Sequence, residues 1–351
     1  MFFLAEGDIA AIIAAIGADR IMDRLISGMT SGFEAMARER VHHISRRGFA
    51  EGRNLVEWMP VSFPEQGVVV KLVSYCPDNP LLNGRPTIDA LIAEADPQSG
   101  AFRALVEGRL LTAMRTGAAS AVATALMAPG DSTTLGLIGC GAQAVTQAHA
   151  LSRVLPLRRI LAFDRNPQVL ASLPARLGFL GLSVQAATPD AIVQHADVIC
   201  TATSNEVGAP PVVSAGPFRP HAHINAIGSD FPGKIELPAE VVRSAFVAAD
   251  LIEQAAVEGE CQHFTSQELS QGRVAALAEI VTGGAAHPDL RSRLTVFDST
   301  GIAMEDAIAL QIFREYAEAL GRGREIGPAA SRGDDPHNPY GFLIPADAEC
   351  A

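Results

Sequence analysis

Apolar residues recur at helical spacing near the start of the chain, at Ile9, Ile12, Ile13 and Ile16 and again at Ile21, Leu25, Met29, Phe33 and Met36. These three- and four-residue steps predict two amphipathic helices over residues 8 to 38, interrupted near Gly17. From 41 to 75 the character changes. Val56 and Trp58, then Val68 to Val73, read as strands, with Pro60, Pro64 and Gly67 marking turns. Ile88 to Arg109 continues as short strands around an Asp96-Pro97-Gln98-Ser99-Gly100 hairpin turn. The alanine-rich stretch Thr112 to Met127, closed by Pro129-Gly130-Asp131, reads as a helix. The first third is therefore a mixed α+β unit.

Beyond Thr134 short apolar runs alternate regularly with helical or loop segments. Strands are expected at 134–139, 159–163, 183–187, 197–202, 223–228, 245–249 and 294–298, the rhythm of a doubly wound parallel sheet. Met304 to Leu320 mixes apolar and charged positions as an amphipathic helix that packs back on the first unit. Gly321 to Ala351, rich in Gly, Pro and Asp, reads as an extended tail. The fold class is α/β, with a Rossmann domain over 129–304 and an α+β domain formed from 1–128 and 305–351.

The first strand of the parallel sheet leads into Gly139-Cys140-Gly141-Ala142-Gln143-Ala144, a Gly-x-Gly-x-x-Ala turn that opens a helix. Glycines permit a sharp turn and close backbone approach, and the helix start offers unpaired N–H groups to an anion, which is the chemistry of a pyrophosphate site. Such a turn also occurs where no nucleotide binds. Asp164 raises the odds: it ends the next apolar run, 25 positions after Gly139, where an acid can hold the ribose hydroxyls of NAD and repel a 2′-phosphate. The competing reading makes it a turn residue at the strand end.

Composition narrows the function classes. The 351 residues are 48% apolar, enough for two cores, and the net charge of −12 with scattered Lys and Arg argues against a nucleic-acid or anionic-membrane surface. Five cysteines with no Cys-x-x-Cys pair fit a reducing compartment. Glu6 and Asp8 follow Met1-Phe2-Phe3-Leu4 at once, unlike a secretory leader, and the apolar run Ile9 to Ala18 is too short to span a bilayer, so a cytoplasmic location is expected.

Several polar residues sit in apolar surroundings. Glu57, in Leu55-Val56-Glu57-Trp58-Met59-Pro60, would need a cation if buried, and that cation could be structural or a substrate amine. Lys71, in a run of valines, is either a buried functional lysine or one snorkelling from an edge strand. Arg115 can pair with a carboxylate or a cofactor phosphate. Asp230 closes a strand that runs into a glycine turn, where the ligand crevice of a doubly wound sheet lies, and Asp298-Ser299-Thr300-Gly301 ends the last strand in the same way. His221-x-His223 has no third ligand at sensible spacing and is read as turn and strand, so no metal is expected.

Four ordered motifs carry a family resemblance: Arg115-Thr116-Gly117-Ala118-Ala119-Ser120, Gly139 to Ala144, Asn225-Ala226-Ile227-Gly228-Ser229-Asp230-Phe231-Pro232-Gly233-Lys234-Ile235-Glu236-Leu237, and Phe297-Asp298-Ser299-Thr300-Gly301. Over roughly residues 1 to 325 the chain resembles the ornithine cyclodeaminase/μ-crystallin family. Val56 to Pro60 looks like the cyclodeaminases, whereas the alanine dehydrogenase and ketimine reductase branches usually lack the carboxylate. Trp58 and Glu258-Gly259-Glu260-Cys261-Gln262 lean toward the lysine enzymes.

The resemblance implies a tightly held NAD, regenerated in each turnover, and an α+β domain that binds substrate and forms a homodimer, with the interface supplied by residues 54 to 109. Carried over residue by residue, it implies cofactor contacts from Thr87, Arg115, Gly139, Gly141, Ala142, Gln143, Asp164, Thr203, Ile227, Gly228, Ser229, Lys234 and Ser299. It implies a substrate site of Arg47, Glu57, Lys71, Arg115 and Thr300, with Asp230 as the catalytic acid/base. The Arg46-Arg47 doublet leaves the substrate arginine open by one residue. The implied activity converts a basic L-amino acid to a cyclic imino acid and ammonia, with lysine and ornithine both open as substrate. A same-fold dehydrogenase or ketimine reductase and a non-catalytic μ-crystallin-like binder are the alternatives.

Overall fold

The computed structural model describes residues 1–63, 67–283 and 289–327. The expected turn at Pro64 and the expected tail beyond residue 327 lie outside these residues.

The first half runs β1 (Phe2–Leu4), α1 (Glu6–Ile16), α2 (Ala18–Ala37), β2 (His42–His43), β3 (Arg47–Glu51), β4 (Asn54–Phe63), β5 (Gly67–Tyr75), α3 (Asn79–Leu82), β6 (Ile88–Ala95), β7 (Phe102–Glu107) and α4 (Arg109–Met127). Gly17, at φ +94°, makes the bend between α1 and α2 that other residues rarely adopt. β4, β5, β6 and β7 form an antiparallel meander, with β3 also pairing β4 and β1 added parallel to β7. Strand alternation gives this sheet two unlike faces. Met59, Val61, Phe63, Val69 and Ile92 point inward toward α4 and the returning helix Ala303–Leu320, into the core that also holds the fully buried Ile21, Leu25, Met29 and Phe33 of α2, while Val56, Trp58, Leu72 and Leu91 stay exposed on the other face.

The second half runs β8 (Thr134–Ile138), α5 (Ala142–Val154), β9 (Arg159–Phe163), α6 (Pro167–Arg176), β10 (Ser183–Ala186), α7 (Pro189–His195), β11 (Val198–Thr201), β12 (His223–Ala226), α8 (Ala239–Ser244), β13 (Phe246–Ala249), α9 (Ile252–Glu258), α10 (Ser266–Ser270), β14 (Val274–Ala276), α11 (Leu277–Val281) and β15 (Thr295–Asp298). Its eight strands are all parallel, in the order β10-β9-β8-β11-β12-β15-β13-β14. The order reverses between β8 and β11, so a crevice opens above their carboxyl ends. β8, β10, β11 and β12 end one or two residues earlier than the apolar runs predict, because Gly139, Ala187, Ala202 and Ile227 lie past the last ladder pairs, whereas β9, β13 and β15 end where expected. β14 is too short to leave a pattern in the sequence.

The chain then returns through α12 (Ala303–Leu320), which packs on α2, α4 and the β4–β5 pair, and the last described strand is β16 (Arg324–Glu325), antiparallel to β1. α4 joins the halves. It is apolar and long enough to cross a bilayer by composition, yet 78% of that window is buried between α2, α5 and α12. Gly117 permits the closest approach, since a Cβ there would lie 2.6 Å from the Thr146 carbonyl oxygen on α5. Gly117→Val should therefore force the two helices apart and destabilise the protein by about 1–3 kcal/mol, read as a lower urea midpoint at unchanged slope.

Candidate active site

β8 delivers the chain into Gly139, whose φ of +93° and whose approach to the Ala202 carbonyl, 2.5 Å from any added Cβ, leave room for no other residue. Gly141 caps α5 without a side chain, and a Cβ there would meet nothing within 4 Å. The first N–H groups of α5, at Ala142 and Gln143, thus face open space, a cradle that a phosphate fits. Arg176 clamps the loop from α6 by donating to the carbonyls of Cys140 (2.6 Å) and Gly141 (3.2 Å). Asp164 accepts from the backbone N–H of Cys140 and of Asn166, both at 2.8 Å. It serves as a turn residue, and since a carboxylate has about four acceptor positions it keeps room for further donors.

Deeper in the crevice, Glu236 ties the strand ends together. Its Oε1 accepts from Thr203 N (2.7 Å) and Thr203 Oγ1 (2.6 Å), and its Oε2 accepts from Gly228 N (2.8 Å). A Cβ at Gly228 would collide with that carboxylate. Ser229 is fully buried and donates to the Lys234 carbonyl at 2.6 Å. Ile227 lies buried beside it. Ser299, 2% exposed at the end of β15, has a hydroxyl with no partner among the described residues. An open helix terminus, an acid at the second strand end and an unspent buried hydroxyl together fit a dinucleotide. Thr87 is further off in role: it is half-buried before β6, and its carbonyl holds Cys76 N at 2.7 Å.

The substrate candidates gather where the inner face of the antiparallel sheet meets this crevice. Glu57 on β4 is 8% exposed and Lys71 on β5 only 1%. Gly48 faces Glu57 across the β3–β4 pair, and a Cβ there would lie 2.6 Å from Glu57 Cγ. Lys71 Nζ contacts Asp306 Oδ2 at 2.8 Å, and Arg115 Nε donates to Asp306 Oδ1 at 3.0 Å while its Nη1 binds Glu305. Gly301 lets the chain cross over that guanidinium, at φ +80° and with Arg115 Nη1 2.6 Å from a would-be Cβ. Burial, aided by the neighbouring Arg115 charge, lowers Lys71 to about 8 against the pull of Asp306. Burial likewise pushes Glu305 up to about 8, opposed by Arg115.

The doublet resolves in favour of Arg46. Arg47 pairs with Trp58 in register, so it lies on the outer face and is exposed, whereas Arg46, one residue earlier, turns inward with Glu57. The reason is the two-residue period of a strand, which a pair of identical neighbours hides in the sequence. Arg46 reaches across the cleft to Glu258, donates from Nη2 to the Thr300 carbonyl at 2.7 Å, and has Nη1 3.6 Å from Glu57. Thr300 therefore meets the cluster through its carbonyl. Its hydroxyl donates to Asp250 (3.0 Å) and accepts from Gln254 (2.8 Å). Asp230 pairs with Lys234 at 2.7 Å, and Tyr75 covers that ammonium 5.1 Å from the ring centre. Burial raises Glu57, with Arg46 opposing and Asp230 adding to the rise.

Comparison with known proteins agrees with this geometry. Residues 8–321 match the model of the ornithine cyclodeaminase/mu-crystallin family. The chain belongs to that family. It is 44% identical to an L-lysine cyclodeaminase of Streptomyces rapamycinicus, over 96% of this chain and 98% of that protein. It is 32% identical to an ornithine cyclodeaminase of Agrobacterium fabrum, over 83% of this chain and 80% of the relative. A solved lysine cyclodeaminase, described for its recognition of L-lysine, L-ornithine and L-2,4-diamino butyric acid, superposes with a TM-score of 0.92 at 44% identity, over 97% of this chain and 99% of that one. An archaeal alanine dehydrogenase dimer with bound NAD superposes at 0.82, with 28% identity over 93% and 99% of the two chains. NAD is the cofactor, and the glycine cradle and Asp164 suit it.

Residue reasoning on the sequence left Arg46 and Arg47 open and missed Glu236, Glu258, Glu305 and Asp306. Glu236 and Glu258 stood inside the motifs that mark the family. Glu305 and Asp306 read as the solvated face of an amphipathic helix and carried no signal.

Because space is open at Gly141, Gly141→Val should keep its cofactor-free melting temperature and weaken NAD binding by about tenfold or more, roughly 1.4 kcal/mol, in a calorimetric titration.

Proposed function

We propose that the protein is a cyclodeaminase that uses NAD catalytically to convert a basic L-amino acid into a cyclic imino acid and ammonia: L-lysine to L-pipecolate, or L-ornithine to L-proline. One observation carries the reading. Beside the dinucleotide cradle, the buried Glu57 and Glu258 share the single guanidinium of Arg46, and Asp230, paired with Lys234 among the described residues, adds its charge from the half-exposed side. A buried surplus of carboxylates calls for a further cation. A diamino acid brings one in its side-chain ammonium, and a neutral amino acid does not.

Bound NAD supplies the acceptor for hydride from Cα and its donor back to the cyclic imine. The chain's own residues do the rest. Arg46, Lys71 and Arg115 are each pinned by a carboxylate or carbonyl and keep N–H donors in reserve, so they can hold the substrate carboxylate and aim Cα. Glu57 holds the side-chain ammonium. Asp230 Oδ2, which makes no hydrogen bond among the described residues, takes the proton that frees the amine to attack the α-imine carbon. Ring closure then expels the α-nitrogen as ammonia. Desolvation on entering the cleft lowers the amine's hold on its proton.

The holoenzyme incubated with lysine and ornithine separately, without added reductant, should release ammonia and a cyclic imino acid with no net change in NADH. Net NADH turnover without ammonia would move the protein to the dehydrogenase or reductase branch. Asp230→Asn should lower the rate by about 10²–10⁴-fold while NAD stays bound, and near-normal turnover in that variant would sink its role.

The protein acts as a homodimer in this reading, through the outer face of the antiparallel sheet. Phe49 is 76% exposed, Leu72 47%, Leu91 44% and Trp58 37%, and they form a contiguous apolar surface across β3 to β6. Leu72→Arg should shift the mass measured by light scattering from dimer toward monomer.

A further inference from the structure

We propose that Glu258 is the positioning residue of the substrate-carboxylate arginine: it grips Arg46 by the Nε edge and so turns Nη1 toward the substrate. Arg46 lies in the connector between β2 and β3, with no ladder pairing of its own. Its long side chain is held from the opposite domain, Nε by Glu258 and Nη2 by the Thr300 carbonyl. A guanidinium is planar, so two fixed nitrogens fix the third. Nη1 is the remaining one, left 3.6 Å from Glu57 at the mouth of the cluster.

Glu258 can do this because it is itself immobilised. It is the last residue of α9. Gly259 follows, so close to Asp298 that a Cβ would lie 2.5 Å from Oδ2, and the same carboxylate accepts from Cys261 N at 2.7 Å. Within α9, Gln254 is bonded to Thr300 and to the Gly301 carbonyl. Glu258 is 7% exposed, and the charged groups facing it are Arg46, Glu57 and Asp230. Burial pushes it up to about 7, with Arg46 opposing and the two acids adding to the rise. It therefore gains a proton as pH falls below neutral, weakening the charge on the Arg46 clasp without removing the acceptor oxygen. An ordinary interdomain salt bridge would serve folding alone. A positioning residue must show itself in substrate affinity.

The inference rests on the cyclodeaminase reading, and the test separates the two. The NAD-loaded full chain is compared with Glu258→Ala and Glu258→Gln, measuring ammonia release from L-lysine and L-ornithine, calorimetric binding of L-lysine, and NAD content. In Glu258→Ala, KM and the L-lysine Kd should rise about tenfold or more with kcat changed less than about threefold. Glu258→Gln, whose amide carbonyl still accepts from Nε, should restore both to within about threefold and remove the ionisation near pH 7 from the kcat/KM profile. An alanine variant with unchanged KM, a glutamine variant as impaired as alanine, or a pH profile intact in the glutamine variant overturns the proposal. If the alanine chain fails to fold, the glutamine profile decides. Should the wild type release no ammonia, the cyclodeaminase reading falls, and L-lysine binding across the three proteins still judges Glu258.

Discussion

The clasp of Arg46 on Glu258 and the Thr300 carbonyl joins two sheets that share no strand. The antiparallel sheet offers Glu57, Lys71 and Arg46, and the parallel sheet offers Asp230, Glu258 and the β15 end, but neither set is balanced alone. Buried charge must be compensated within a few ångströms or neutralised by protons. In this cleft both occur: Lys71 and Arg115 lean on Asp306, while Glu258 and Glu305 are held up toward neutral pKa values by burial. The cleft is consequently primed for a ligand that carries one carboxylate and two ammonium groups.

The nucleotide half is arranged on the opposite logic. Its strand-end carboxylates Asp164 and Glu236 satisfy the loop N–H groups around a helix start that stays open. Glu236 is the clearest case, since one carboxylate fixes Thr203 and Gly228 at the ends of two adjacent strands. Arg176 does the same for the glycine loop from outside. A cofactor kept through turnover would need such a preorganised seat, and the charges that α12 and the antiparallel sheet bring to the cleft would orient the substrate toward it.

α12 shows how a helix can serve both halves. Its apolar face closes the core of the first unit against α2 and α4, and its first turn places Glu305 and Asp306 under Arg115 and Lys71. Acids at a helix N-terminus are favourable in themselves. The same two residues therefore start the helix and anchor the cations of the site.

The sequence by itself determined a great deal. Periodicity located both helices around Gly17, the Asp96 to Gly100 hairpin, the parallel strands and the returning helix, because each depends on local spacing and on glycine or proline chemistry. The Gly139 to Ala144 turn and Asp164 announced a dinucleotide for the same reason, and Glu57, Lys71, Arg115 and Asp230 were legible as polar residues that an apolar context would not tolerate unpaired. Only the tertiary structure decided which of Arg46 and Arg47 faces the cleft, since that choice is a strand register set by pairing with Trp58 and Glu57. It also decided that Glu258, Glu305 and Asp306 matter. Their partners lie more than a hundred residues away, and a carboxylate on a helix looks the same in sequence whether it meets water or a buried arginine.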